Sequence, residues 1–363
     1  MVIACNRMDR GFERYQSEFE EKALEVLRSG YYVLGKEVKA FEEEFAAFLD
    51  APYCVGVGNG LSALEMAFHL LGIGAGDEVI VPANTYIASV LGITLNDATP
   101  VFVEPDEFYN IDTEQIEDHI TAKTKAILVV HLYGQAANMA EIMKIAKKYG
   151  LRVVEDCAQS HGAVFEGQQT GTFGDFGCFS FYPTKNLGAF GDGGALVTAD
   201  EKLADLARVY RNYGSRKKYH NEVMGINSRL DEMQAGLLRV RLAHLNEMNE
   251  ERKRMATFYQ ENIKNPKFIL PTVRECAEPV WHQYVVRVQE RDNIQRKLQE
   301  KGIATMIHYP IPPHLSEALS WLKLGRGTYP ITERYADEVL SLPFYNGMYE
   351  DELKYVVDII NAI

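Results

Sequence analysis

The feature that most constrains the fold is a regular alternation between positions 53 and 198. Short, nearly continuous apolar segments alternate there with segments whose apolar residues recur at helical spacing. The predicted strands are YCVGV (53–57), EVIVP (78–82), TPVFV (99–103), AILVVH (126–131), RVVED (152–156), FGCFSF (176–181) and GALVT (194–198). The helical segments between them include LSALEMAFHLL, TYIASVLGITL and AEIMKIAKKYG. Because the strands lack a polar face, the pattern predicts an α/β fold with a largely parallel sheet covered by helices on both faces.

The sequence on either side of this alternation predicts further helices and a second domain. Two amphipathic helices with solvated acidic faces are predicted upstream, at 17–30 and 36–49. Downstream, the predicted order is a long helix (231–263), a strand (282–288), a helix (291–302) and a strand (304–310). With 363 residues the chain is long enough for two cores. We therefore expect a large domain at 1–245 and a smaller C-terminal α+β domain at 246–363.

Composition excludes several classes of protein. The formal net charge of −13 argues against a general nucleic-acid surface or anionic-membrane surface. The apolar run at 126–133 is too short to cross a bilayer, and the charged first ten residues lack the apolar stretch of a signal peptide. Five cysteines without a CxxC pair fit a reducing cytoplasm and suggest neither a disulfide framework nor a metal site. We expect a cytoplasmic protein that binds no metal.

The segment GVGNGLSALEMAFHLL (56–71) is a candidate phosphate site. A predicted strand enters a glycine-rich turn and continues directly into a helix, whose first N–H groups stay free to bind an anion. The same pattern also fits an ordinary strand–helix turn. A nicotinamide-dependent oxidoreductase is the alternative from another class, but Leu61 stands where the last glycine of GxGxxG belongs.

Two further residues extend this pattern. Asp156 closes the strand RVVED, and a carboxylate at that sheet edge can keep a pyridine nitrogen protonated. Lys185 lies in the glycine-rich loop after FGCFSFYP, where a partly dry pocket would make its amine nucleophilic. Alone, the aspartate fits a helix cap and the lysine a solvated surface. The order of phosphate turn, strand-end aspartate and loop lysine favours one shared site.

Together, the motifs GNGLSAL, VPANTYIAS, VEDCAQSHGA, FSFYPTKNLGAFGDGGA and GINSRLDEMQAGLL resemble the DegT/DnrJ/EryC1/StrS family of sugar aminotransferases. The resemblance covers nearly the whole chain, from SGYYVLGKEVKAFEEEFA to LSLPFYNGM. It implies the aspartate-aminotransferase fold (fold type I), with a mixed, mostly parallel seven-stranded sheet. It also implies pyridoxal 5′-phosphate as the cofactor.

The resemblance assigns a role to each matching residue of the catalytic centre. Lys185 would carry the cofactor as a Schiff base and then act as the proton-transfer base, while Asp156 pairs with the pyridinium nitrogen. Tyr86 would stack on the cofactor ring, and Gln159 would reach the ring hydroxyl. Dehydratase relatives have histidine in place of the lysine, so Lys185 favours transamination.

The resemblance also implies a phosphate site that two subunits share. The groups that would bind the cofactor phosphate are the amides of Gly60 and Leu61, the hydroxyl of Ser180, and Asn227 of the neighbouring subunit. This last assignment implies a homodimer with shared active sites.

The expected reaction is transfer of an amino group from L-glutamate to a dTDP-linked 3-keto-6-deoxyhexose. GNGL in the phosphate turn, IHYPIPPHL (307–315), and Tyr213 in RNYGS resemble the branch that aminates C-3. The alternative within the family is a nucleotide-sugar 4-aminotransferase. The non-enzymatic alternative is a binding or regulatory protein that keeps only the fold.

Five residues are candidates for binding the sugar nucleotide: Tyr213, Lys217, Lys218, His308 and Tyr309. The two lysines lie in the basic loop SRKKY (215–219), which could supply local positive charge for a diphosphate or could be a solvated turn. His308 and Tyr309 are predicted to end a strand of the small domain. A histidine–tyrosine pair in that position is also common as a core or interface feature.

Overall fold

A seven-stranded mixed sheet is the centre of the computed structural model, which describes all 363 residues. The first eleven strands are β1 (Tyr53–Val57), β2 (Glu78–Pro82), β3 (Thr99–Val103), β4 (Thr124–Val130), β5 (Arg152–Asp156), β6 (Val164–Phe165), β7 (Gln168–Gln169), β8 (Phe176–Ser180), β9 (Gly194–Thr198), β10 (Ser215–Lys217) and β11 (His220–Asn221). The order in the sheet is β1-β9-β8-β5-β4-β2-β3. Only β9 is antiparallel to its neighbours, so the predicted mixed, mostly parallel seven-stranded sheet is confirmed.

Helices cover both faces of this sheet. They are α1 (Met8–Glu13), α2 (Gln16–Ser29), α3 (Lys36–Phe48), α4 (Gly60–Leu70), α5 (Ile87–Thr94), α6 (Thr113–Ile116), α7 (Met139–Tyr149), α8 (Glu201–Tyr210) and α9 (Glu232–Ala243). One apolar core packs α4, α5 and α8 against the sheet, and another packs α2, α3 and α9 against β1, β8 and β9. No helix combines the length and apolar character needed to cross a bilayer.

Part of the acidic face of α3 is engaged in ion pairs and hydrogen bonds within the protein, although the sequence predicted a solvated face. Glu37 is buried beside Arg239, and Glu42 accepts hydrogen bonds from Arg211 and from the Gly56 N–H. These pairings compensate the cost of removing carboxylates from water. The helix α3 therefore anchors β1 through its acidic side chains as well as its apolar ones.

The C-terminal part has its own core around a three-stranded sheet. Its elements are α10 (Leu245–Asn262), α11 (Arg291–Glu300), α12 (Pro330–Glu338), α13 (Glu350–Ala362), β12 (Phe268–Ile269), β13 (Ala277–Glu278), β14 (Val285–Val288) and β15 (Val339–Ser341). Short 3-10 helices occur at Glu117–His119, Leu132–Gly134, Pro313–Leu315 and Glu317–Leu322. Ile3 packs in this C-terminal core, whereas β13 leaves it and forms a separate small sheet with β6 and β7. The division at residue 245 stays a prediction.

Three predicted elements in the C-terminal half differ from the structure. The long helix breaks at His244, whose imidazole stacks on Tyr15 with ring centroids 3.9 Å apart and pairs with Glu18. The segment 304–310 is not a strand. It forms one isolated bridge, between Met306 and Ser341, and side-chain hydrogen bonds fix the rest. The predicted strand at 282–288 is shorter, beginning at Val285.

Candidate active site

A cavity of about 730 Å³ opens at the carboxyl ends of the parallel strands, where the C-terminal part faces the sheet. This volume is typical of sites for small molecules and cofactors. Nine of the predicted site residues line it: Gly60, Leu61, Tyr86, Asp156, Gln159, Ser180, Lys185, His308 and Tyr309. The structure thus brings the predicted cofactor residues of one chain into a single cavity.

Asp156 is held at the end of β5 by two hydrogen bonds. Its Oδ2 accepts one of 2.7 Å from the Ser89 hydroxyl, and its Oδ1 accepts one of 3.1 Å from the Ala158 N–H. Thr85 Oγ1 lies 2.7 Å from Ser89 Oγ and continues this chain of hydroxyls. Burial raises the pKa of Asp156, and the Ser89 hydrogen bond and the charge of Lys185 act in the opposite direction. A buried carboxylate in this position suits a protonated ring nitrogen.

Lys185 is half-buried in the same cavity. Its loop is fixed by hydrogen bonds from the Lys185 N–H to the Tyr182 carbonyl (2.8 Å) and from the Ala189 N–H to the Phe181 carbonyl (2.7 Å). Burial lowers the pKa of the Lys185 ammonium to about 8, against a smaller opposing effect of Asp156. Near neutral pH a useful fraction of the side chain is therefore the neutral amine, which is the nucleophilic form.

The phosphate turn leaves two N–H groups free at the start of α4. Asn59 caps this helix by accepting a hydrogen bond from the Ser62 N–H, whereas the amides of Gly60 and Leu61 have no acceptor in the protein. A Cβ on Gly60 would lie 2.6 Å from the Cβ of Ser180, so only glycine lets the turn approach β8 this closely. Two free amides, the serine hydroxyl and the positive end of a helix together form an anion site.

Gly194 supports the phosphate turn from the antiparallel strand β9. Any Cβ at this position would clash with the carbonyl group of Asn59 and lie 2.9 Å from the Gly60 amide nitrogen. The turn is thus seated directly on the backbone of β9.

Tyr86, Gln159 and Tyr309 form a second wall of the cavity. The rings of Tyr86 and Tyr309 have centroids 5.0 Å apart, and the Tyr309 hydroxyl accepts a hydrogen bond of 3.2 Å from Gln159 Nε2. Gln159 Oε1 accepts the Tyr133 N–H at 2.6 Å, so the amide orientation is fixed from both ends. Tyr86 exposes half of its side chain and is free to cover a planar ring.

The loop that carries His308 rests on Tyr133 and Ser341. The Tyr133 hydroxyl donates a hydrogen bond to the His308 carbonyl, and His308 Nδ1 lies 2.8 Å from Ser341 Oγ. Burial lowers the pKa of His308 to about 4, so the ring is neutral near pH 7. Tyr133 was not predicted from the sequence, because its role comes from a contact between distant segments.

The remaining four predicted residues lie outside this cavity. Lys217 and Lys218 are exposed on the hairpin of β10 and β11, and Tyr213 lies just before it, with half of its side chain exposed. Asn227 is exposed and pairs with Asn212 in an isolated bridge. Within one chain the structure does not bring these residues to the cofactor groups. Their assignment to a site shared between subunits stays a prediction.

His131, Glu155 and Cys157 lie close enough together to resemble a metal site, but their polar atoms already have partners. His131 Nδ1 accepts the Ala137 N–H, so its Nε2–H donates to Glu155 at 3.0 Å. Glu155 also accepts three backbone N–H groups of the loop at 171–174. Burial raises the pKa of the Cys157 thiol well above its ordinary value. The cluster therefore stabilises the end of β5 beside Asp156. The Cys157 side chain packs in the core.

Comparisons with known proteins agree with this geometry. The sequence pattern of the DegT/DnrJ/EryC1/StrS aminotransferase family matches residues 13–361. A dTDP-3-amino-3,6-dideoxy-alpha-D-galactopyranose transaminase from Aneurinibacillus thermoaerophilus is 53% identical over 96% of both chains. A dTDP-3-amino-3,4,6-trideoxy-alpha-D-glucose transaminase from Streptomyces venezuelae is 46% identical over 96% of this chain and 93% of its own.

Solved structures share the fold over almost the whole chain. DesV of S. venezuelae, solved in complex with a ketimine intermediate, superimposes with a TM-score of 0.97 at 44% identity, covering 99% of this chain and 98% of its own. The protein Spr1654 from Streptococcus pneumoniae, solved in a PLP form, has a TM-score of 0.90 at 26% identity, and the match covers 95% of each chain.

Proposed function

This chain belongs to the DegT/DnrJ/EryC1/StrS aminotransferase family, and on that premise we propose that it aminates C-3 of a dTDP-linked 3-keto-6-deoxyhexose. The amino donor in this proposal is L-glutamate, and the cofactor is pyridoxal 5′-phosphate. The observation that carries the proposal is the convergence of Lys185, Asp156 and the free amides of the phosphate turn on one cavity. A binding or regulatory protein has no use for this combination of groups.

The residues of the cavity fit the cofactor in chemistry and position. Gly60, Leu61 and Ser180 would hold the phosphate, Asp156 the ring nitrogen, and Lys185 the carbonyl carbon. When bound, the cofactor supplies a protonated ring that withdraws electrons from a carbon next to the amine. Asp156 maintains that protonation because its carboxylate is held by Ser89 and shielded from water.

Lys185 is the proton carrier in this scheme. With its pKa lowered to about 8, its Nζ can accept a proton from the amine-bearing carbon of the donor and release it again near neutral pH. The wall formed by Tyr86, Gln159 and Tyr309 limits access of water to this amine. His308 and Tyr309 are the residues of the C-terminal part that we assign to contact with the sugar.

Amination of C-3 is supported by the names of the two relatives, both 3-amino sugar transaminases. The test is an assay of pure enzyme with L-glutamate and a panel of dTDP-3-keto, dTDP-4-keto and UDP-linked sugars. We expect turnover of the dTDP-3-keto sugar with the highest kcat/KM. Turnover restricted to the 4-keto sugar would move the enzyme to the other branch. Lys185→Ala should abolish turnover in every case.

A homodimer with shared active sites is part of the proposal. Asn227, Lys217 and Lys218 are exposed on one chain, and the same hairpin region exposes 93% of Met224, which favours a partner surface there. Mixing Lys185→Ala with Asn227→Ala chains tests the arrangement. Hybrid dimers would contain one complete site, so a refolded equal mixture should regain about a quarter of wild-type activity. No recovery in demonstrated hybrids would contradict the shared site. A cytoplasmic location stays a prediction.

A further inference from the structure

The end of the cavity that is formed by the C-terminal part contains a second positive charge. Among the lysines and arginines of the chain, only Lys185 and Arg252 line the cavity. Arg252 projects from α10 with 5% of its surface exposed, beside the apolar side chains of Leu342 and Phe344. Its position was not apparent from the sequence, because α10 presents a largely charged surface with little amphipathic pattern.

The hydrogen bonds of Arg252 fix its guanidinium but leave its charge uncompensated. Nε donates to Asn346 at 2.8 Å, and Nη1 donates to the carbonyls of Trp281 (3.1 Å) and His282 (3.2 Å). Nη2 has no acceptor in the protein, and no carboxylate lies within ion-pair distance of Arg252. The neighbouring Glu251 is engaged by Arg14, Asn346 and Gly347 instead. A buried cation that meets only neutral oxygens is costly unless an anion joins it.

The two histidines at this end do not compete with Arg252 as cations. His282 Nδ1 donates to Asn186 Oδ1 at 3.1 Å, and burial keeps the pKa of the ring well below its ordinary value. His308 is neutral for the same reason. Near pH 7, Arg252 is therefore the only fixed positive charge of this end of the cavity.

We propose that Arg252 binds a carboxylate group of the amino donor. The inference rests on the proposed function and names the residue that holds the amino donor in the same cavity. A carboxylate is the anion that must enter beside Lys185, because the donor carries one on the carbon whose amine reacts. The sugar ring has no charge, and the diphosphate of the nucleotide is assigned to the exposed basic hairpin. Leu342, Phe344 and Met306 offer apolar contacts for the methylene groups of glutamate.

Equilibrium binding of glutarate to the holoenzyme, measured by calorimetry, tests this assignment without turnover. Loss of a charge-assisted contact in Arg252→Met should weaken glutarate binding by roughly 30-fold or more. The matched control is Arg241→Met. Arg241 is half-buried, and burial lowers its pKa to about 10 as it does for Arg252. It lies outside the cavity and should leave glutarate binding within about threefold of wild type.

Measuring the two half-reactions separately shows whether Arg252 binds the donor or only maintains the structure of the cavity. In the half-reaction with L-glutamate, absorbance after rapid mixing should show the same loss of affinity in Arg252→Met. In the other half-reaction, the apparent Kd of the sugar nucleotide should be unchanged. Equal weakening of both half-reactions, or unchanged glutarate binding, would overturn the proposal. If Arg252→Met does not fold, the same loss is required of Arg252→Gln, which keeps hydrogen-bond donors without the charge.

The outcomes also separate this inference from the proposed function. A wild-type enzyme that does not react with L-glutamate would refute the proposed donor. Glutarate binding that depends on Arg252 in the same preparation would still support a carboxylate site.

Discussion

The Ser89 hydroxyl donates a 2.7 Å hydrogen bond to Oδ2 of Asp156, linking the first turn of α5 to the end of β5. Both groups are buried, and Thr85 supplies the next hydroxyl in the chain. This bond favours the charged form of a carboxyl whose pKa is raised by burial. The sequence predicted Asp156 but not the hydroxyl that orients its carboxylate.

Replacing Ser89 with alanine should therefore weaken cofactor binding. A hydrogen bond to a charged group contributes about 1.5–3 kcal/mol, so we expect the dissociation constant of pyridoxal phosphate to rise by roughly tenfold or more. The measurement is a fluorescence titration of cofactor-free protein. Thr85→Val, one bond farther from the carboxylate, is the comparison and should have a smaller effect. Identical constants for wild type and Ser89→Ala would refute the role assigned to this hydroxyl.

Asp156→Asn should reduce kcat strongly and change the melting temperature little. The amide keeps the size of the side chain but cannot hold a ring proton, and removal of such an electrostatic stabiliser typically costs about 100- to 1,000-fold in rate. Steady-state assays and thermal denaturation of the same preparation measure both effects. The control is Asp175→Asn, which removes an ion pair with Arg152 at the opposite end of the strands. A kcat for Asp156→Asn within tenfold of wild type would contradict the assignment.

Capture of the cofactor should depend on pH through Lys185. Only the neutral amine reacts, and burial lowers the pKa of this lysine to about 8 in the cofactor-free protein. The rate constant of reconstitution should rise about tenfold per pH unit below pH 8 and level off above it. Absorbance after rapid mixing measures this profile. A rate that keeps rising up to pH 10 would indicate an ordinary, solvated lysine.

The stability of the cofactor-free protein should change with the same group. Between about pH 8 and 10 the unfolded chain holds the Lys185 proton while the folded chain has lost it. The contribution of this lysine to the free energy of unfolding should therefore increase with pH in that window. The difference between wild type and Lys185→Met in urea denaturation at pH 7 and pH 10 isolates it. A difference independent of pH would contradict the lowered pKa.

Gly194→Ala should damage the phosphate turn from the strand beneath it. The added methyl group has no space against Asn59 and Gly60, and such overpacking costs about 1–3 kcal/mol. We expect a lower melting temperature and weaker binding of the cofactor. Gly74→Ala is the matched control, since its Cβ would meet only the Asn96 carbonyl at 3.4 Å. Comparable affinities in the two variants would show that the turn can shift without loss.

The strands and the catalytic pair were predictable because their signals are local. The apolar segments at 53–57, 78–82, 99–103, 152–156 and 194–198 have the same bounds in the structure, since each is buried on both faces and ends at a turn. Asp156 ends one of these strands, and Lys185 lies in the loop five residues after the end of β8. The carboxyl ends of parallel strands meet at one edge of the sheet, which brought these residues together.

Residues that depend on contacts between distant segments were not predictable in this way. Ser89 and Arg252 lie on helices, and Tyr133 lies in a short 3-10 turn. The groups to which they donate hydrogen bonds are far away in the sequence. The segment 304–310 alternates like a strand, yet Tyr133 and Ser341 hold its backbone and His308 ring in an irregular loop. Asn227 and the basic hairpin lie outside the cavity of their own chain, so their assignment depends on the dimer.

The antiparallel strand β9 also has a consequence for the order in which the protein can mature. β1 is an edge strand whose only neighbour in the sheet is β9, and Val57 pairs with Gly194. During synthesis the phosphate turn leaves the ribosome long before the strand that seats it. Until β9 has been made, β8, β5, β4, β2 and β3 can pair among themselves, but β1 has no partner. The phosphate turn can therefore take its place in the sheet only after β9 has been made.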